Sequence, residues 1–478
     1  MRKCLVIPQL FLTALLPFVC NAKETDPWLK PNIIFILADD LGWADLPAYG
    51  NRFNEAPNID RLVKQGALFT NAYAAAPVCT PTRVSIMSGA YPVRLGFMDF
   101  IPGRQFPYES VIVPQNRTQY LPTEVITIGE VMKELGYRTG YFGRWNLGDS
   151  AAYQPSNQGF EETNAGRSSN SRSPGEKRLR SSDIIGNLSE SFIEKNKDQP
   201  FFLFVGSYDV HTPINADSSL IAKYLAKPKA PNYISNAVYA AMIEHIDQIV
   251  GRILNKVYEE GLDNNTLIVF FSDNGGLRKG YQIPPMLMPK NRALSPEDTL
   301  QLMQITANDP LRGEKGNLYE GGIRVPLIVK YPGKWKGETI IDDVVTSVDF
   351  FPSFVGVAGE KLPVGPDFDG VDILTKPIPA ERPIFWHYPV FHHGVPCSAV
   401  RSGKWKLMKN LVDGSYELYN LEKDLRETSN LVSRYPVELA KLSALLDNWL
   451  KSVKAPMPVP NPDFDKSKRR KMEPVKKG

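Results

Sequence analysis

Pro31-Asn32-Ile33-Ile34-Phe35-Ile36-Leu37-Ala38-Asp39-Asp40-Leu41-Gly42 is an unbroken apolar run that stops on two carboxylates. A run that is apolar at every position, not at alternate ones, marks a strand covered on both faces, as in a parallel sheet. Asp39 and Asp40 then stand at its C-terminal end, where open α/β sheets bind their ligands. Two adjacent unpaired carboxylates repel each other. A hard cation would relieve that repulsion; an Asx turn capping the next helix is the alternative.

Outward from this run the same pattern recurs three times. Thr139–Gly143 ends in Arg144-Trp145-Asn146-Leu147-Gly148, Pro200–Ser207 in Tyr208-Asp209-Val210-His211-Thr212-Pro213, and Thr266–Ser272 in Asp273-Asn274-Gly275-Gly276. A short helix is predicted over Asn58–Gln65. A long amphipathic one is predicted over Tyr233–Glu260, with Met242, Ile246, Ile249, Val250, Ile253 and Val257 at helical spacing. His245 on that helix reads as structural. Strands alternating with helices predict an α/β, doubly wound sheet. Right-handed crossovers then put the strand ends on one edge. Asp39, Asp40, Arg144, Asn146, His211, Asp273 and Asn274 should therefore converge, although they are far apart in the chain.

Cys79-Thr80-Pro81-Thr82-Arg83 lies between these strands. Pro81 suits the first turn of a helix and Gly89 suits its C-terminal stop. A thiol at a helix N-terminus beside a permanent cation marks a place to hold an anion; a buried Cys next to a turn Pro is the plainer reading. Lys315, in Arg312-Gly313-Glu314-Lys315-Gly316, is placed either to reach the same anion or as an exposed loop Lys. The preceding stretch, 277–311, is long and Pro- and Met-rich, as functional or mobile loops are. A strand over Ile323–Tyr331 and a helix over Val344–Val357 complete this part.

Near residue 365 the texture changes. Pro-rich segments lead to strand-like pieces at Ile384–Tyr388, Ser398–Arg401, Trp405–Lys409 and Tyr416–Asn420, then a helix over Pro436–Val453. They predict a small C-terminal α+β domain with an antiparallel sheet and one helix. Trp386, His387, Tyr388, Phe391, His392 and His393 cluster there, as an aromatic platform for a sugar or as packing against the large domain. Adjacent histidines on a strand point apart, which argues against a metal site.

Arg2 and Lys3, the apolar stretch Leu5–Val19 and Cys20-Asn21-Ala22 read as an export signal over 1–22. The chain then divides into 23–365, 366–455 and a basic tail, 456–478. A periplasmic or secreted location follows, and no further stretch is predicted to cross a membrane. Once the signal is removed, Cys79 and Cys397 are the two cysteines left, too few for a disulfide scaffold. The net charge of +4 over 478 residues gives no sign of a nucleic-acid partner.

Cys79-Thr80-Pro81-Thr82-Arg83 with Ser88-Gly89, Pro57-Asn58-Ile59-Asp60-Arg61-Leu62 and Tyr319-Glu320-Gly321-Gly322-Ile323-Arg324-Val325-Pro326 occur in one order along nearly the whole mature chain. Together they resemble the type I sulfatases of the alkaline phosphatase-like superfamily, the arylsulfatase-like enzymes. The resemblance implies that a formylglycine-generating system oxidises Cys79 to Cα-formylglycine. It implies that Asp39, Asp40, Asp273 and Asn274 bind Ca²⁺ together with the modified Cys79. Arg83 and Lys315 match residues that hold the aldehyde hydrate and the sulfate, and His211 one that meets the ester oxygen. The implied activity is hydrolysis of a sulfate monoester, here on a sulfated carbohydrate.

Three positions depart from the family pattern. The usual Lys-Trp-His is Arg144-Trp145-Asn146, and Ala90 replaces a basic residue. Arg144 can still bind sulfate, with a planar fork. Asn146 cannot act as a base, so slow turnover or a product burst is expected. The alternatives are a phosphate or phosphonate monoester hydrolase of the same superfamily, and a sulfated-glycan-binding protein impaired in turnover.

Overall fold

The computed structural model describes residues 30–164, 180–231, 233–280, 283–284, 287–288 and 295–469. The export signal over 1–22 and the last part of the basic tail lie outside the described residues.

The four apolar runs form neighbouring strands of one eight-stranded sheet. Its order is Thr339–Ile341, Ala67–Phe69, Leu327–Lys330, Thr266–Ser272, Asn32–Ala38, Phe201–Gly206, Arg138–Gly143, Glu162–Thr163. Pairing is parallel throughout except at Leu327–Lys330, which runs antiparallel to both neighbours. In register, Leu37 lies between Phe271 and Gly206, and Gly206 beside Gly143. The strands therefore end level, and whatever follows each of them emerges at one edge.

Both faces are covered, which is why the strands are apolar at every position. Ile34 and Ile36 pack under the helices Pro57–Gln65, Ser181–Lys195, Ser218–Ala226 and Ala237–Glu259. Ile33, Phe35 and Leu37 face the helices Cys79–Ser88, Ile128–Glu134 and Phe350–Val357. The long helix starts at Ala237, not Tyr233, because Asn236 Oδ1 accepts from the backbone of Val238 and Tyr239 at 3.0 and 3.1 Å. The segment expected as one helix over Val344–Val357 opens as a strand, Val345–Thr346, and becomes α-helical from Phe350. The strand expected from Ile323 begins at Leu327, because Glu320–Ile323 forms a helical turn.

Ile384–Tyr388, Cys397–Ser402, Trp405–Asn410 and Tyr416–Asn420 make a four-stranded antiparallel meander. The helix Pro436–Ser452 lies on it, with Trp449 stacked on Phe385 at 4.8 Å. Fully buried Lys406 of the meander bonds Glu320 of the large sheet domain at 2.9 Å and Glu427 at 2.8 Å. Trp386, Tyr388 and Phe391 are buried, and Trp386 Nε1 donates to Ala74 O at 2.8 Å. The cluster is thus packing between the two parts, not a platform. His392 and His393 lie beyond the strand end with rings 4.4 Å apart, because the chain turns there and strand alternation does not apply.

The tail expected from residue 456 is docked as far as it is described. Val459–Pro460 pairs with Val111–Ile112, and Asn461 Nδ2 donates to the carbonyls of Pro107 and Glu109 at 2.8 and 2.7 Å. Arg469 Nε meets Glu109 at 3.0 Å. No described helix is long and apolar enough to cross a membrane.

Candidate active site

Cys79 is the first residue of the helix Cys79–Ser88, buried under the C-terminal edge of the sheet. Gly89 ends that helix at φ +67°, a conformation glycine adopts without strain. Arg144 follows Gly143, whose φ is +105°; a Cβ there would lie 1.9 Å from the carbonyl oxygen of Gly206. Only glycine lets the Arg144 backbone come so close to the neighbouring strand, where its N–H donates to Gly206 O at 2.8 Å.

The ten residues singled out by sequence form one connected cluster. Arg83 donates through Nε and Nη2 to Asp273 Oδ2 at 3.0 and 2.8 Å and lies 3.4 Å from Asp39. Its Nη1 donates to the Arg144 carbonyl at 2.7 Å, as does the hydroxyl of Tyr141 at 2.6 Å. Arg144 Nε approaches Asp39 Oδ2 to 2.7 Å and its Nη2 is 4.0 Å from Cys79 Sγ. Lys315 Nζ bridges both oxygens of Asp40 at 2.6 and 2.7 Å, and Asn274 Nδ2 donates to the same carboxylate at 2.9 Å. His211 Nδ1 donates to Thr212 O at 2.5 Å, which leaves Nε2 facing Asp40 at 3.7 Å. Asn146 Nδ2 lies 3.1 Å from Cys79 Sγ and donates to Thr80 Oγ1 at 2.8 Å.

Charge sets the ionisation of this cluster. Burial opposes the Asp39 carboxylate, but Arg144, His211, Arg83 and Lys315 outweigh it and hold the group below the usual range. Asp40 is likewise lowered, with Lys315 and His211 overcoming burial. Asp273 goes the other way: burial, then the neighbouring Asp39 charge, push it up to about 7 despite Arg83. Burial also raises the Cys79 thiol, against Lys315 and Arg144. An unmodified Cys79 is thus a poorly ionised nucleophile at neutral pH.

The donor chemistry suits a hard cation. Both oxygens of Asp39, and Oδ1 of Asn274, are buried without an aligned hydrogen-bond partner. Asp39, Asp40 and His211 bring one ligand atom each within 4.8 Å of one another. Buried polar atoms rarely stay unpaired, and a set dominated by carboxylate and amide oxygens suits a hard cation such as Ca²⁺ or Mg²⁺.

Two further residues border the cluster. Asp209, in the same strand-end run as His211, and buried His245, read as structural, line a cavity of about 570 Å³ together with Arg144 and His211.

The sulfatase family model matches residues 31–360 of this chain. A second model, described as the N-sulphoglucosamine sulphohydrolase C-terminal region, matches 313–455. A sulfatase of Formosa agariphila is 30% identical, the match covering 98% of this chain and 97% of that protein. Human arylsulfatase A is 28% identical, over 79% of this chain and 74% of its own. A solved structure of Ps i-CgsB in complex with k-i-k-neocarrahexaose superposes with a TM-score of 0.70 at 27% identity, covering 88% of this chain and 92% of that one. Match length, the mostly parallel sheet with its small C-terminal meander, and the motif order all agree: the chain belongs to the sulfatase family and is a sulfuric ester hydrolase.

Proposed function

We propose that the protein hydrolyses sulfate monoesters of a carbohydrate with an oxidised residue 79 as nucleophile. The observation that carries this reading is the ring of Arg83, Arg144 and Lys315 around the Cys79 helix N-terminus, facing buried oxygens of Asp39 and Asn274 that have no aligned hydrogen bond. As hydrated Cα-formylglycine, position 79 supplies a hydroxyl nucleophile, and Ca²⁺ held by Asp39, Asp40, Asp273, Asn274 and residue 79 supplies Lewis-acid stabilisation.

The chain's own groups do the rest. Arg144 and Lys315 neutralise the sulfate oxygens as charge builds, and Arg83 fixes Asp273 and Asp39 in place. His211, oriented by its Nδ1–H bond to Thr212, carries the proton that the departing alcohol oxygen takes up. Asn146 orients the residue 79 side chain by donating to it. Maturation would require a formylglycine-generating system, and the charged start and apolar run of 1–22 support export. The solved relative in complex with k-i-k-neocarrahexaose supports a carbohydrate alcohol.

The test uses protein made with a formylglycine-generating enzyme. The Cys79 peptide should carry an aldehyde by mass, a sulfate ester should turn over at least about 100-fold faster than the matching phosphate ester, and a Ca²⁺ chelator should lower the melting temperature reversibly. Full activity with an intact Cys79 thiol would overturn the reading.

A further inference from the structure

The long stretch 277–311 ends in a segment that is fastened to the sheet edge. Ile305 N–H donates to Arg278 O at 2.9 Å, so the stretch closes on itself. Thr306 Oγ1 then donates to Asp45 Oδ1 at 2.5 Å. Asp45 is buried, and its Oδ2 accepts from Gly42 N at 2.9 Å and from the Tyr239 hydroxyl, on the long helix, at 2.6 Å. The end of the stretch is thereby tied to the run that carries Asp39 and Asp40.

Two residues on, Asn308 reaches the other strand end. It is buried at φ +57°, a left-handed conformation that asparagine tolerates. Its Nδ2 donates to Gly276 O at 2.8 Å and to Gly313 O at 3.2 Å. Gly276 follows Asp273 and Asn274, and its carbonyl also accepts from Lys315 N at 3.2 Å. Gly313 stands two residues before Lys315, so a single amide joins the Asp273–Asn274 run to the Lys315 loop. Glycines leave room for it. A Cβ on Gly42 would lie 2.4 Å from Asn308 Oδ1, and one on Gly276 2.9 Å from the same atom. Both glycines directly follow the runs that carry the site carboxylates.

We propose that Asn308 is a positioning residue for Lys315: by clamping the carbonyls of Gly276 and Gly313, it fixes the loop from which the Lys315 ammonium reaches the reacting centre. A lysine side chain is long and flexible, so the aim of its charge depends on how firmly its backbone is held. Lys315 Nζ already rests on both oxygens of Asp40, and Asn308 keeps the backbone where that reach is possible. The proposal rests on the sulfatase reading, in which Lys315 neutralises the sulfate oxygens, and adds a residue that touches neither the ester nor position 79.

The experiment uses the full chain matured with a formylglycine-generating enzyme. Asn308→Gly removes the amide and keeps the backbone, since glycine adopts this φ freely. For one sulfate ester, kcat should fall at least about tenfold with KM within about twofold, as a charge displaced by about 1 Å loses that much. In a Lys315→Ala background the same change should cost less than about threefold, because residues that act together are not additive. A smaller fall in the first case, or an equal fall in both, would overturn the proposal. Hydrogen exchange reads the loop without turnover. The N–H groups of Lys315 and Gly316 donate to Gly276 O and Pro77 O. In Asn308→Gly they should exchange at least about tenfold faster, while the helix Ala237–Glu259 keeps its wild-type rates. Unchanged exchange at Lys315, or a rise that spreads over that helix as well, would overturn the positioning role. No turnover of any sulfate ester by the wild type, with the faster local exchange observed in the variant, would count against the sulfatase reading and leave Asn308 as the residue that holds Lys315.

Discussion

Asn146 Nδ2 lies 3.1 Å from the sulfur of Cys79 and donates to Thr80 Oγ1 at 2.8 Å. Its amide nitrogen can only donate, so Asn146 steadies the residue 79 side chain and cannot take a proton from it. The wild type should release a burst of alcohol and then turn over more slowly. Asn146 has φ +58°, a conformation histidine also tolerates. Asn146→His should raise the steady-state rate by about 100-fold, the lower end of general-base assistance. Rapid-quench kinetics without a burst, or an unchanged rate in the variant, would mean that another group removes the proton.

Arg144 has the only guanidinium in the cluster that is both near Cys79 and partly open to the cavity. Arg144→Ala should lower kcat by about 100- to 1,000-fold, the cost of losing one preorganised charge donor. Arg144→Lys should recover part of this, because it restores the charge without the fork. Steady-state assays on one sulfate ester distinguish the three proteins.

Gly143→Ala should destabilise the fold by at least about 2 kcal/mol, since a Cβ cannot sit 1.9 Å from Gly206 O and φ +105° is unfavourable for alanine. The lost activity should exceed what partial unfolding explains, because Arg144 moves with its neighbour. Urea titration and assays below the transition separate the two effects.

Lys406 carries a buried charge between the two parts of the chain. Burial acts on both of its carboxylate partners, yet Lys406 and Arg324 lower Glu320 to about 2, while Glu427 is pushed up to about 7. Lys406→Met leaves Glu320 without this cation and should cost about 3–5 kcal/mol. The cost should shrink from pH 8 to pH 6 as Glu427 takes up a proton. Denaturant unfolding at the two pH values tests this.

Burial lowers the His387 imidazole to about 4, although its bond to Pro456 O opposes the shift. Unfolded, the ring titrates near 6.5, so between those values the unfolded chain binds more protons. Stability held above about pH 6.5 is therefore lost as pH falls towards 4, by at most about 3 kcal/mol. His387→Gln should flatten the fall in melting temperature between pH 7 and pH 5. An unaltered slope would rule His387 out as its source.

The central strands were legible because both faces are covered: Ile33 and Ile34 belong to opposite cores, and no polar residue breaks the run. The cluster was legible because each run ends in residues that cannot be buried unpaired. Local pattern failed where long-range packing decides. Val345–Thr346 is extended because it pairs with Ala72–Tyr73, far back in the chain. Trp386 read equally as a sugar platform or as packing, and only its contact with Ala74 of the large domain decides for packing.

The pairing of Val459–Pro460 with Val111–Ile112, and of Asn461 with Pro107 and Glu109, bears on any shortened version of this protein. The stretch it anchors is continuous with Ile101, whose N–H donates to Thr80 Oγ1 at 3.3 Å beside the reactive residue. Trimming the chain at 455, where the second family match stops, would spare the eight-stranded sheet and the meander and still unfasten the stretch that reaches Thr80.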